Sequence, residues 1–118
     1  MTALVVAAAV AVAPSFVFGR EGGNIVPFRA QIYRGGRVVV DGRPGPRLTR
    51  AKVTSLLRLA AAERFSRLPR RIDCPGTLPD IAVLYVRVGA ARTVFEHGSC
   101  SRRFDRAYTA LAKAVGEP

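Results

Sequence analysis

The feature that most constrains this chain is the placement of its two cysteines. Cys74 and Cys100 stand just outside the two ends of an apolar hairpin. "IAVLYVRV" (81–88) is apolar on both faces until Arg87, which predicts a central strand. "GAAR" turns the chain, and "RTVFE" (92–96) pairs back. An out-and-back hairpin returns to its starting end. Both cysteines therefore fall at one end of the sheet, within reach of the ~5.5 Å Cα separation that a disulfide wants. With 118 residues the chain is one domain at most. A core of that size buries roughly 60–65% of the unfolded surface, so its margin is thin. Closing the loop from 74 to 100 contributes ~3.5 kcal/mol in the chain-entropy treatment, against ~5–15 kcal/mol for a whole domain.

Three alternatives compete with a disulfide. His97, the only histidine, lies three residues before Cys100 in "FEHGSC" (95–100). Cys74, His97 and Cys100 with Asp73 or Asp80 would make a zinc site, but structural zinc sites carry two close-spaced ligand pairs and this chain has one. Cys100 activated by His97 would make a catalytic thiol, yet no third orienting group or cleft is marked. Free structural thiols are the remaining alternative. The balance favours the disulfide, with no catalytic residue, no metal ligand and no cofactor expected. "GREGG" and "RGGR" do not stand between a strand and a helix start, so neither reads as a phosphate cradle. No serine has a G-x-S-x-G context, and the eight acidic residues show no close pair in an expected pocket.

Residues 1–13, "MTALVVAAAVAVA", are uncharged and small-residue rich, with A-x-A at Ala9–Ala11 and Ala11–Ala13. They read as a signal peptide lacking its basic start, cleaved near Ala11, and an uncleaved anchor is the second reading. The apolar run to Phe18, broken by Pro14 and Ser15, is short of the ~20 residues of a spanning helix. A secreted or cell-envelope location follows, where disulfides persist.

Residues 14–118 read as a single α+β domain. Phe16-Val17-Phe18 predicts a short strand stopped by Gly19, Gly22 and Gly23. "PFRAQIY" (27–33) alternates as a half-buried strand, "RGG" turns, and "RVVV" (37–40) returns. "DGRPGPR" (41–47) and "RRIDCPGTLPD" (70–80) read as loops. Thr49 caps a helix whose stripe runs through Val53, Leu56, Leu57 and Ala60 and extends to Phe65 and Leu68, with Pro69 barring continuation. Ser101 caps a second helix with Phe104, Ala107, Tyr108, Leu111, Ala112 and Val115 on one side, ended by Gly116. The expected fold is two-layered: an antiparallel sheet of about five strands, two helices, β-ββα-ββα order and one disulfide.

The formal charge is +11, and of the 19 basic residues all but Lys52 and Lys113 are arginine. Arg, Ala, Val and Gly are the residues that GC-rich codons favour, so a genome's codon bias and a ligand are both open as sources of that excess. A basic surface favours an anionic polymer or an acidic protein as partner. Two candidate surfaces stand out. Arg43, Pro44 and Arg47 lie on the Gly/Pro loop, whose shape is pre-set. Arg102, Arg103 and Arg106 crowd the first turns of the last helix, where cations oppose the helix dipole. Nucleic acid is disfavoured, since only Tyr33 and Tyr85 could stack bases, from different strands. The expected partner is an extracellular protein or an anionic polymer, and the expected state is a monomer.

The set "GREGGN", "RVVVDG", "RFSRLP", "CPGTLPD" and "HGSC" resembles a family of small exported domains of unknown function in high-GC bacteria, over residues 16–115. That resemblance implies a secreted or envelope domain and no activity. The early "GG", the "F-x-x-LP" helix end and the small size are faintly similar to emfourin-type inhibitors of bacterial metalloproteases. No inhibitory residue carries over.

Overall fold

The computed structural model describes residues 12–117. The expected leader, 1–13, thus lies outside the described residues except for Val12 and Ala13, which precede the first strand without regular structure. The elements are β1 (Phe16–Glu21), β2 (Phe28–Ile32), β3 (Val38–Val40), β4 (Arg43–Pro44), α1 (Arg50–Ala62), β5 (Arg71–Asp73), β6 (Val83–Val88), β7 (Val94–His97) and α2 (Arg102–Ala114). A short 3-10 turn, Phe65–Arg67, follows α1. The strands form one sheet in the order β4-β3-β2-β1-β6-β7-β5.

The fold is α+β with two helices, but the expected sheet needs correcting. It has seven strands rather than about five, so the β-ββα-ββα order does not hold. It is also mixed: β5 pairs with β7 in parallel, while the other neighbours are antiparallel. Both extra strands lie inside segments read as loops. β4 aligns Arg43 with Val40 and Pro44 with Val39 at the sheet edge, where a proline's missing N–H goes unnoticed. β5 is three residues long, too short to display alternation, and the parallel partner it needs is remote in sequence.

A third correction concerns β1, which runs through Gly19 to Glu21, between β2 and β6, and ends only before Gly22 and Gly23. A Cβ at Gly19 would lie 2.6 Å from Tyr85 Oη and would collide with the Phe28 carbonyl. The Tyr85 ring covers this glycine, and its hydroxyl donates to Phe28 O at 3.4 Å. The glycine is therefore a packing device inside a strand rather than a stop.

Pleating sends Phe16, Phe18, Ala30, Ile32, Val86 and Val94 to one face, where they join the buried residues of both helices in one core. Helix α2 lays Phe104 between Phe65 and Tyr108, with ring centroids 5.8 and 6.1 Å away. Burial pushes the Tyr108 hydroxyl up to about 12.

Helix α1 ends earlier than its apolar stripe. Arg64 adopts a left-handed conformation at φ 49°, ψ 47°, and the chain tightens into the 3-10 turn. Phe65 and Leu68 still reach the core. The caps at Thr49 and Ser101 form as expected, accepting from Lys52 N at 3.0 Å and Phe104 N at 3.2 Å.

Candidate functional site at the disulfide end of the sheet

The parallel pairing of β5 with β7 sets Asp73 beside His97, so both strands leave the sheet at the same end. Cys74 is the next residue on one side and Gly98 on the other. Cys74 and Cys100 are joined, with their Cα atoms 5.7 Å apart. The expected pairing is correct, while its geometry rests on β5 as much as on the hairpin. Cys74 N donates to His97 O at 3.0 Å. Thr77 Oγ1 donates to Cys74 O at 2.8 Å and approaches His97 O at 3.3 Å. Gly98 sits at φ +98°, and a Cβ there would lie 2.7 Å from Cys74 Cβ, which explains the glycine two residues before Cys100.

His97 belongs to this framework. Its Nε2 lies 3.0 Å from Ile81 O and ties β7 to the 74–82 loop. The residue gathered around the sulfurs is instead Glu96. A Glu96 carboxylate oxygen, Cys74 Sγ and Cys100 Sγ lie within 4.8 Å of one another. Those three residue types can hold a metal ion when the cysteines are thiolates, but here the sulfurs are bonded to each other.

Glu96 is fully buried, on the core face of β7 beside Val94. Its Oε2 accepts from Ser101 N at 2.9 Å and Cys100 N at 3.4 Å, holding the turn that enters α2. Among the described residues its Oε1 is buried and accepts from no N–H or O–H group. Burial, followed by the Asp105 carboxylate of α2, pushes the Glu96 carboxyl up to about 7. Asp105 itself accepts from Ser99 Oγ at 2.8 Å. Glu96 and Asp105 therefore form a close acidic pair beside a shallow cleft, where the sequence gives no expectation of a close pair in a pocket. The alternation of "TVFEH" was the available signal, because it sets Glu96 in the inward register of Val94.

The two arginine groups stand apart. Arg43 and Pro44 form the exposed edge strand β4, and Arg47 is exposed beyond it. Arg102, Arg103 and Arg106 follow β7, at the other side of the sheet. Two of these three have intramolecular work. Arg103 donates to Glu63 O at 2.6 Å and Arg64 O at 2.7 Å, and Arg106 pairs with Glu63 Oε1 at 3.1 Å. Arg103 thus binds carbonyls at the end of α1 and Arg106 pairs with the Glu63 carboxylate beside them, which gives both cations on the first turns of α2 a structural partner. Arg102 is exposed.

Two loops at the disulfide end carry apolar side chains outward. Among the described residues, Ile25, Val26, Leu78 and Ile81 are four of the five exposed large hydrophobics. The loops touch, through Asn24 N to Asp80 O at 3.2 Å. Among the described residues no helix is long and apolar enough to cross a membrane. No family model matches the chain, and no curated protein or solved structure matches it significantly.

Proposed function

We propose that the chain is an exported, non-enzymatic binding module that engages an extracellular protein through the apolar loops at its disulfide end. The observation that carries this reading is the gathering of Ile25, Val26, Leu78 and Ile81 on two touching loops. An exposed apolar cluster marks an interaction surface. The 74–82 loop is held by the disulfide, by Thr77 and by His97, so it loses little entropy on binding. Export is supported by the leader-like 1–13 segment, the disulfide and the resemblance to exported bacterial domains. An extracellular protease is the partner class that the emfourin likeness suggests.

A second reading takes the exposed Arg43, Arg47 and Arg102 as contacts for an anionic polymer. One experiment separates the two. A partner is recovered from culture supernatant, and its affinity is measured for variants across a salt series. The apolar reading expects Ile25→Ser with Leu78→Ser to weaken binding at least ~10-fold, as hot-spot losses do. It expects Arg43→Ala with Arg47→Ala to cost less than ~3-fold, as exposed charges do. Unchanged affinity in the apolar variant, with binding that collapses in salt, would overturn it for the cationic reading.

A further inference from the structure

We propose that Cys74–Cys100 is an exchangeable disulfide, opened by an external dithiol at Cys100 Sγ, with the Glu96 carboxyl giving its proton to the departing Cys74 sulfur. The proposal does not rest on the docking surface above, but opening the bond would loosen the 74–82 loop that carries Leu78 and Ile81.

Three observations converge on it. First, the bond is asymmetric: Cys100 is exposed, whereas Cys74 is 9% exposed. Second, Cys100 directly precedes Ser101, the N-cap of α2, and shares a shallow cleft with the cations Arg102, Arg106 and Lys113, which outnumber its one anion, Asp105. Helix N-termini and cations stabilise a thiolate, so this sulfur suits both attack and re-formation of the bond. Third, a buried carboxyl lies within 4.8 Å of both sulfurs, and among the described residues its Oε1 accepts from no N–H or O–H group. Holding the 98–101 turn does not explain it. A glutamine would accept from the Ser101 and Cys100 N–H groups equally well, without a group that titrates in the core.

The groups around Glu96 leave it suited to proton transfer. Ile72 of β5 and Leu84 of β6 flank it on the neighbouring strands and are apolar. Burial first, and then the Asp105 carboxylate of α2, which offers the protonated carboxyl a hydrogen bond, push Glu96 up to about 7.

The step balances as follows. A reagent thiolate forms a bond to Cys100 Sγ, and the Cys100–Cys74 bond breaks. The electron pair leaves on Cys74 Sγ, which takes the Glu96 proton. The reagent's second thiol passes its proton back to Glu96, attacks its own sulfur in the mixed disulfide and releases Cys100 as a thiolate. The dithiol leaves oxidised by two electrons as a disulfide, and the protein holds Cys74 as a thiol and Cys100 as a thiolate.

The test uses the oxidised protein without denaturant. Glutathione adducts are trapped by acid quench and mapped by peptide mass spectrometry. Reduction by dithiothreitol is timed for the wild type and Glu96→Gln, with rates divided by the reagent's thiolate fraction. The adduct is expected on Cys100. Glu96→Gln is expected to slow reduction about tenfold near pH 6 and to leave it unchanged near pH 8.5, where the carboxyl has already lost its proton. An adduct on Cys74, equal rates for both proteins at both pH values, or a bond that opens only in denaturant would overturn the proposal. The adduct map needs only the wild type, so it stands whether or not Glu96→Gln folds.

Discussion

The two edges of the sheet are built on opposite plans. At the β4 edge a two-residue strand of Arg43 and Pro44 closes onto a three-residue β3, and Arg43, Pro44 and Arg47 are all exposed. At the β5–β7 edge a strand of similar brevity is locked by a disulfide, a threonine bridging two carbonyls, a histidine on a third and a buried glutamate. Short edge strands need such outside support, because few ladder bonds hold them. The β4 edge relies on the stiffness of proline, whereas the β5–β7 edge concentrates covalent and titratable groups. The chemistry of this protein therefore gathers at one edge, and its sequence-visible charge is spread over both.

The comparison can be broken at several points. The largest effect is expected from removing the disulfide: Cys74→Ser with Cys100→Ser should cost ~3.5 kcal/mol in urea unfolding. A loss as small as that of a surface change would mean that the edge is held without its cross-link.

Next comes the pH dependence of stability. The Glu96 carboxyl stands at about 7 in the fold against an ordinary 4.5. A raised acid favours the fold fully below 4.5, and that contribution is lost as pH rises through 7. Asp105 interacts with this carboxyl, so the loss belongs to the pair. Urea midpoints should fall over this range in the wild type and flatten in Glu96→Gln. Equal slopes would place the titrating group elsewhere.

A smaller effect is expected at Arg103. Arg103→Ala removes two charge-assisted bonds to Glu63 O and Arg64 O and should cost ~1–2 kcal/mol by thermal unfolding. Smallest of all, Arg43→Ala and Arg47→Ala should each stay within ~0.5 kcal/mol. A larger loss there would erase the contrast between the edges.

Local pattern carried much of this architecture. Alternation in "FRAQI", capping at Thr49 and Ser101 and the stripe of α2 each report short-range physics, and each element forms where those signals lie. The cysteine pairing was legible because hairpin geometry returns a chain to its start. Features that depend on remote partners were not legible. β5 exists because β7 offers it a parallel edge, and β1 continues through Gly19 because Tyr85 fills the space above it. The Glu63 groups that Arg103 and Arg106 meet lie some 40 positions upstream, beyond the reach of local pattern. Glu96 was visible in register but not in meaning, since the sulfurs and Asp105 converge on it only in three dimensions.

The most direct test is amide hydrogen exchange on the native protein, oxidised and then reduced under argon without denaturant. If the disulfide and Glu96 lock the β5–β7 edge as one unit, reduction should strip protection from residues 71–82 and 96–101 and leave β3 and β4 unchanged. Protection lost evenly over the whole sheet, or not lost at all, would contradict it.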